Sequence, residues 1–486
     1  MATEQSKTCD LILVGGDVVD GTGAPRRRAD VAVRDDRIVA IGELADWHAG
    51  QRVDVSNQVV APGFIDVHTH DDYALLAKPD MDMKVSQGVT SVVVGNCGIS
   101  LAPLTFTEME PGLALLGDEQ AFRFPKMGQF LDAIDDAPAA LNAVFLVGHT
   151  TLRFGTLDRT DRPASSDEIK IMRDLLEEGL KAGASGMSTG LFYDPAIAAP
   201  AREVIEIGQV LKDYGARYVT HMRDEAAGVL DSLEETFEIG RECDSRAIVS
   251  HHKVQSGDVA GLSAQTLACI DHHGHNQPVG LDVYPYAAGS TILKPELFAK
   301  SKRVLITWSK AIPEAGGRDL KDIAAEMGVD IYEAAERLQP AGAIYFSMHE
   351  EDVQRILSHP NAMIGSDGLP FDAHPHPRLW GTFPRVLGHY ARDLGLFSLE
   401  EAVRRMTSLS AMQFDMADRG TVAKGNFADL VVFDPDKVID TATFEKPIQA
   451  AAGIAHVFVN GREVWRDGQS TGARPGRALR HRQVAA

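Results

Sequence analysis

Eight times between residues 64 and 367 a short apolar run ends in polar residues capable of chemistry. The first four runs are Phe64-Ile-Asp-Val-His-Thr-His, Ser91-Val-Val-Val-Gly-Asn-Cys, Ala143-Val-Phe-Leu-Val-Gly-His and Ala184-Ser-Gly-Met-Ser-Thr-Gly. Arg217-Tyr-Val-Thr-His, Ala247-Ile-Val-Ser-His-His-Lys, Gly280-Leu-Asp-Val-Tyr-Pro-Tyr and Ala362-Met-Ile-Gly-Ser-Asp follow. Continuous apolar runs of this length suit strands buried on both faces, as in a parallel sheet. Amphipathic stretches separate several of them: Glu168 to Ala182, opened by a capping-box signal at Ser165 and Glu168, then Glu203 to Tyr214, Glu225 to Arg241 and Ser263 to His272. Eight strand-then-helix units predict an α/β fold of the (β/α)8 TIM-barrel type, whose chemistry sits at the C-terminal ends of the strands.

The two ends of the chain read differently. Asp10-Leu-Ile-Leu-Val, Asp30-Val-Ala-Val-Arg-Asp-Asp-Arg-Ile-Val-Ala-Ile and Gln58-Val-Val-Ala are short strands punctuated by turn residues. Ala428-Asp-Leu-Val-Val-Phe and Ile454-Ala-His-Val-Phe-Val-Asn-Gly repeat that chemistry near the C-terminus. The expectation is one small β-sandwich built from residues 1–61 and 421–486, with two unrelated flanks as the alternative, around a metal-dependent barrel at 62–420. Between Tyr286 and Ala362 lie about 75 residues where a barrel unit needs about 30. Residues 287–341 are therefore read as an insertion over the barrel mouth, carrying its own helical patterns at Leu320–Met327 and Ile331–Leu338.

Composition narrows the function classes. Lys and Arg number 48 against 69 Asp and Glu, a net charge of −21 that disfavours nucleic acid or an anionic membrane as partner. Four cysteines (9, 97, 243 and 269) make no disulfide framework, and no apolar run is long enough to span a bilayer. The expected setting is cytoplasmic, with a small molecule as partner and no pattern fixing an oligomeric state.

Six histidines fall at or beside strand ends: 68, 70, 149, 221, 251 and 252. His68 and His70 are spaced to share one side of an extended chain, so both imidazoles can enter the mouth. Cys97 ends the second strand, where a thiolate is a good zinc ligand. His221 ends the fifth, His251 or His252 the sixth, and Asp367 the eighth. Metal-competent residues converging on one end of one barrel make a metal centre the expected site.

With those motifs in view, the chain resembles the amidohydrolase superfamily and, within it, the N-acyl-D-amino-acid deacylases or D-aminoacylases. The resemblance covers essentially the whole chain. It is carried by Ala61-Pro-Gly-Phe-Ile-Asp-Val-His-Thr-His, Gly95-Asn-Cys-Gly, Ser188-Thr-Gly-Leu-Phe-Tyr, His221-Met-Arg-Asp-Glu, Ser250-His-His-Lys, Tyr284-Pro-Tyr, Gly289-Ser-Thr, Gly365-Ser-Asp-Gly and His376-Pro-Arg. It implies a tightly bound Zn2+ held by Cys97, His221 and His251, this last chosen over His252. His68, His70 and Asp367 are implied as a second, weakly occupied site. Many relatives in the superfamily bridge two metals with a lysine on strand four; no lysine stands there here.

The same resemblance implies hydrolysis of the amide of an N-acyl-D-amino acid, with Asp367 taking the proton of the attacking water and returning it to the departing amine. Lys253 and Arg378 would bind the substrate carboxylate. Tyr193, Tyr284 and Ser290 would add hydrogen bonds, and Phe192, Tyr345 and Met348 an apolar wall. In relatives acting on D-glutamate an arginine follows the Ile-Leu-x-Pro-Glu stretch. Here Leu297 follows Glu296, which favours neutral side chains over acidic ones, although Lys294 could partly replace the charge. The alternatives are deacylation of N-acyl-D-glutamate or N-acyl-D-aspartate, hydrolysis of aromatic or cyclic amides, and a non-catalytic metal-binding barrel. Two features are read as incidental: His272-His273-Gly-His275, at a helix end far from the strand termini, and the basic run from Arg474 to Arg482, a surface tail.

Overall fold

The computed structural model describes residues 7–105, 113, 115–117, 119–255 and 261–481. Its centre is an eight-stranded parallel sheet: β1 (Phe64–Asp66), β2 (Val89–Val94), β3 (Asn142–Gly148), β4 (Gly186–Gly190), β5 (Arg217–His221), β6 (Arg246–Val249), β7 (Val279–Val283) and β8 (Ala362–Ile364). Each strand pairs with its sequence neighbour. The Val67 N–H reaches the Ile364 carbonyl at 3.5 Å and Thr69 bridges to Gly368, bringing β1 and β8 together and nearly closing the barrel. Ile65, Val67, Val93, Val144, Leu146, Val219, Ile248 and Met363 fill the interior, so it is a packed core rather than a pore.

The amphipathic stretches form the outer wall as α1 (Ser166–Ala182), α2 (Ala201–Gly208), α3 (Val229–Glu242) and α4 (Ser263–Gly274). The Ser165 hydroxyl accepts from the Glu168 N–H, and the Glu168 carboxylate accepts in return from the Ser165 N–H at 2.8 Å, completing the capping box. The stretch expected as one helix to Tyr214 divides into α2 and a short turn at Leu211–Tyr214, and α3 begins at Val229 rather than Glu225. Residues 224–228 form a turn in which Asp224 accepts from the Ala226 and Gly228 N–H groups. That turn releases Glu225 from the helix and buries it at the mouth.

Both ends of the chain enter a single hydrogen-bonded network of nine strands, in which Val59–Pro62 pairs with Thr8–Val18 on one side and Leu430–Phe433 on the other. Leu11, Leu13, Val31, Val60, Leu430, Val432 and Phe458 form its core. A buried polar knot fastens this sheet to the barrel. Arg419 pairs with Asp429, Asp429 accepts from the Asn460 N–H at 2.7 Å, and Asn460 donates to Asn142 on β3 at 2.8 Å.

The basic C-terminal run is not a surface tail as far as it is described; Arg482 lies outside the described residues. The Leu479 N–H donates to the Ala143 carbonyl at 2.8 Å and the His481 N–H to that of Gly183 at 2.9 Å. Leu479 packs on the barrel core, while Arg474 and Arg480 pair with Asp80 and with Asp132 and Asp135. The segment thus straps the barrel end opposite the mouth.

Between β7 and β8 a three-stranded sheet (Gly289–Ile292, Val304–Ser309 and Ala341–Tyr345) carries helices Leu320–Met327 and Ile331–Leu338 around a separate apolar cluster. Its third strand runs past residue 341 to Tyr345, so the layer extends beyond the expected end of the insertion. No helix among the described residues is long and apolar enough to cross a membrane.

The polar knot gives a stability test. Asp429→Ala leaves Arg419 buried without its counter-charge and should lower the free energy of urea unfolding by about 3–5 kcal/mol.

Candidate metal centre and substrate cavity

Parallel strands deliver side chains to the mouth only where the chain breaks from the sheet. Three of the six expected metal residues sit at such breaks with positive φ: Cys97 (+53°), His251 (+34°) and Asp367 (+49°). Non-glycine residues avoid this region, and its use is concentrated at functional sites. The Cys97 turn fits because Gly95 has φ +81° and a Cβ there would lie 2.2 Å from the Leu146 carbonyl oxygen. Ser188 on β4 pins the same turn, accepting from the Gly98 N–H at 3.0 Å and donating to the Gly95 carbonyl. Strand four therefore lends a hydroxyl to hold Cys97 in place.

The six residues converge, all buried. Cys97 Sγ lies 3.4 Å from His251 Nε2 and 3.7 Å from His221 Nδ1, and those two nitrogens are 2.9 Å apart. A tetrahedral zinc with bonds of about 2.0–2.3 Å sets its ligand atoms about 3.3–3.8 Å apart, so the trio fits such an ion with small adjustment. On the other side, His68 Nε2 lies 3.2 Å from Cys97 Sγ and 3.6 Å from Asp367, and His70 Nε2 lies 3.2 Å from Asp367. The expected two sets do not separate cleanly. Ligand atoms of His68, Cys97, His251 and Asp367 all lie within 4.8 Å of one another, which puts Cys97 between two adjoining positions. His252 turns away to Thr266 at 2.8 Å, and His149 pairs with Glu203 at 3.2 Å, so neither joins the centre.

Charge in this space is tightly matched. Burial disfavours the Cys97 thiolate, but His68 and His251 outweigh it and hold the thiol well below its usual range. Burial likewise opposes ionisation of Asp367, and Arg378, His251 and His70 overcome it, so the carboxylate is ionised at neutral pH. Sequence reasoning missed the layer beneath. Asp282 on β7 accepts from the His251 N–H at 2.9 Å and faces His68 Nδ1 at 3.4 Å, tying both halves of the centre to one carboxylate. Glu225 lies 3.1 Å from His251 Nδ1, 3.5 Å from His221 Nε2 and 2.6 Å from Lys253 Nζ. Accepting from His251 Nδ1, Glu225 would leave Nε2 free as a ligand atom. Lys84, fully buried, donates to Asp66 at 2.8 Å and to Ser366 at 2.7 Å, joining the chain before His68 to the chain before Asp367. The run Leu281-Asp-Val is a visible signal for Asp282, since an acid inside a buried strand needs a partner.

Beside the centre opens a small cavity of about 30 Å3, lined by His221, Asp367, Lys253, Tyr193, Tyr284 and Ser290 and walled by Phe192, Leu297 and Tyr345. The inserted layer supplies Ser290, Leu297 and Tyr345. Tyr193 donates or accepts with Thr291 at 3.1 Å. The buried Tyr284 hydroxyl has no hydrogen-bond partner, and burial pushes its pKa up to about 12 against the pull of Lys253 and Arg378, so it remains a donor. Arg378 is buried just behind, its Nη1 2.9 Å from Asp367 and its guanidinium 4.6 Å from the Tyr284 ring. Its Nε and Nη1 make no hydrogen bond. Met348, expected on the apolar wall, instead packs with Tyr284 and Tyr286 on the far side of that ring, and Leu297 occupies the wall.

Comparison with known proteins places this geometry. Residues 51–277 and 302–469 match the model of the Amidohydrolase family. A D-aminoacylase of Alcaligenes xylosoxydans xylosoxydans is 54% identical over 479 residues, 99% of each chain. An N-acyl-D-aspartate deacylase of the same organism is 51% identical over 472 residues, 97% of this chain and 95% of that one. A crystal structure of N-acyl-D-glutamate deacylase from Bordetella bronchiseptica, complexed with zinc and a phosphonate inhibitor mimicking the tetrahedral intermediate, superposes with a TM-score of 0.94 at 47% identity, covering 97% of this chain and 100% of that one.

The double duty of Asp282 is testable. Asp282→Ala should retain the far-ultraviolet spectrum of the barrel and weaken metal binding by about 10–100-fold in chelator competition.

Proposed function

The chain belongs to the amidohydrolase family, as a D-aminoacylase-type deacylase acting on linear amides, and we propose that it is a zinc enzyme hydrolysing N-acyl-D-amino acids with neutral side chains in preference to acidic ones. The observation that supports this most is the placement of the ionised Asp367 carboxylate against both a three-ligand metal position and a cavity lined by an unpartnered tyrosine, with the buried Arg378 paired to Asp367 from behind. Cys97, His221 and His251 would hold the tightly bound zinc, and His68, His70 and Asp367 a second, weaker ion. Bound there, zinc would supply Lewis acidity that polarises the amide carbonyl and brings the acidity of water towards neutral pH.

The protein's own groups do the rest. Asp367 takes the proton of the attacking water and delivers it to the amide nitrogen as the C–N bond breaks, releasing a carboxylate and a free amino acid. Arg378, its Nη1 turned to Asp367 and its Nε without a hydrogen bond, binds the substrate carboxylate through Nε, and Lys253 adds a positive charge beside it. Tyr284 donates to the substrate, with Ser290 and Tyr193 lining the same cavity. The side chain of the amino acid meets Phe192, Leu297 and Tyr345, which offer it apolar surface. Lys294 stacks on Phe192 at 4.9 Å and faces Asp194 at 3.4 Å, so its charge is already met.

Release of free amine from N-acetyl-D-leucine, N-acetyl-D-glutamate and their L forms tests the reading. Turnover of the D-leucine derivative above the others is expected, and failure of the zinc-loaded enzyme on every D substrate would overturn it. Asp367→Asn should keep zinc with Cys97 and lose about 10²–10⁴-fold in kcat. Leu297→Arg should shift the kcat/KM ratio towards N-acetyl-D-glutamate by about tenfold or more, the worth of one charged hydrogen bond.

A further inference from the structure

On the outer wall, away from the mouth, α3 and α4 bring together a carboxylate, a thiol and an imidazole. Glu234 projects from α3; Cys269 and His273 stand one turn apart on α4, and so share a face. Cys269 Sγ lies 3.5 Å from Glu234 Oε1, His273 Nε2 lies 3.1 Å from Glu234 Oε2, and all three ligand atoms fall within 4.8 Å. These separations approach the ~3.3–3.8 Å that a tetrahedral zinc imposes on sulfur, nitrogen and oxygen ligands. The His273 ring is already fixed, stacked on the fully buried Phe237 of α3 with centroids 4.6 Å apart. Cys269 is half-buried and Glu234 exposed, so an ion can reach the cluster from solvent and a water can complete its coordination.

We propose that Glu234, Cys269 and His273 form an outer-wall site for a zinc-class divalent cation, independent of the centre at the barrel mouth. Thiolate and imidazole select a borderline-soft ion over magnesium or calcium. Uncoordinated, the Cys269 thiol is pushed up to about 11 by burial and by Glu234, so it is protonated at neutral pH. Coordination exchanges that proton for the metal: one S–H bond breaks, one S–metal bond forms, and the proton leaves to solvent without any redox change. The ion would staple α3 to α4, the helices that follow β5 and β6 and hence stand behind the strands ending near His221 and His251.

The test begins with holoenzyme already loaded at the mouth and titrates further zinc against a chromophoric chelator. Wild type should take up one equivalent more than either Cys269→Ser or His273→Ala, and all three should keep the same kcat. Zinc at about ten times its Kd should slow alkylation of Cys269 by iodoacetamide about tenfold, and magnesium should not. Equal zinc uptake by all three proteins, or an alkylation rate indifferent to zinc, would overturn the proposal.

Discussion

Six ionisable side chains share one buried space at the barrel mouth, and most of the surrounding architecture answers the electrostatic demand that they create. An isolated buried charge is unaffordable, so each must face an opposite charge or a hydrogen-bond partner. The Cys97 thiolate is balanced by His68 and His251, and Asp367 by Arg378 and the imidazoles. The next shell repeats the pattern with Asp282, with Glu225 and Lys253, and with Asp66, Asp71 and Lys84. This layering explains why so many strand residues that would be aliphatic in an ordinary barrel are charged here. It also explains why one loss should propagate. Removing a single member leaves its partner as the uncompensated charge, and the partner is often a metal residue.

Backbone strain is the second constraint. Cys97, His251 and Asp367 occupy left-handed conformations that each cost on the order of 1–3 kcal/mol. The surrounding structure holds them there. Ser188 pins the Cys97 turn, the Asp282 carboxylate receives the His251 N–H, and the Asp367 N–H donates to the His68 carbonyl at 2.8 Å. The strained positions thereby aim three side chains from three strands at one point, which His221 reaches from the regular end of β5.

Much of this was legible in the sequence because burial and periodicity leave strong marks. The eight apolar runs announce the barrel, and the convergence of His68, His70, Cys97, His221, His251 and Asp367 follows from knowing that strand ends meet. The choice of His251 over His252 was less direct. Strand alternation says only that one faces in, and the structure shows His251 already past the strand end. Met348 was misplaced because an apolar residue near a cavity can line either side of an aromatic ring, and only packing shows which. Glu225 was hidden inside an apparent helix, since amphipathic spacing continues through a turn that Asp224 caps with its own carboxylate. The outer Cys269 and His273 looked incidental for a related reason: their partner Glu234 lies on a different helix, and sequence spacing carries no information about that contact.

The charge balance finally bears on how an anion is received. The chain carries −21 overall, yet an N-acyl amino acid is itself negative, so bulk repulsion must be overcome within about one Debye length of ~8 Å. Lys253 and Arg378 are the cations at the cavity, but each already faces a carboxylate, Glu225 and Asp367 respectively. Their charge is largely matched, so what remains for a substrate is geometry. The Nε–H of Arg378 and the hydroxyl of Tyr284 are buried donors without hydrogen-bond partners, whose desolvation has already been borne by the fold. On the proposed function, a substrate carboxylate would relieve that burden on binding, whereas a ligand without one would leave it in place. On that function, selectivity for an acidic headgroup would arise from orphaned donors more than from net positive potential, and the apolar surface of Phe192, Leu297 and Tyr345 would confine that welcome to one end of the molecule.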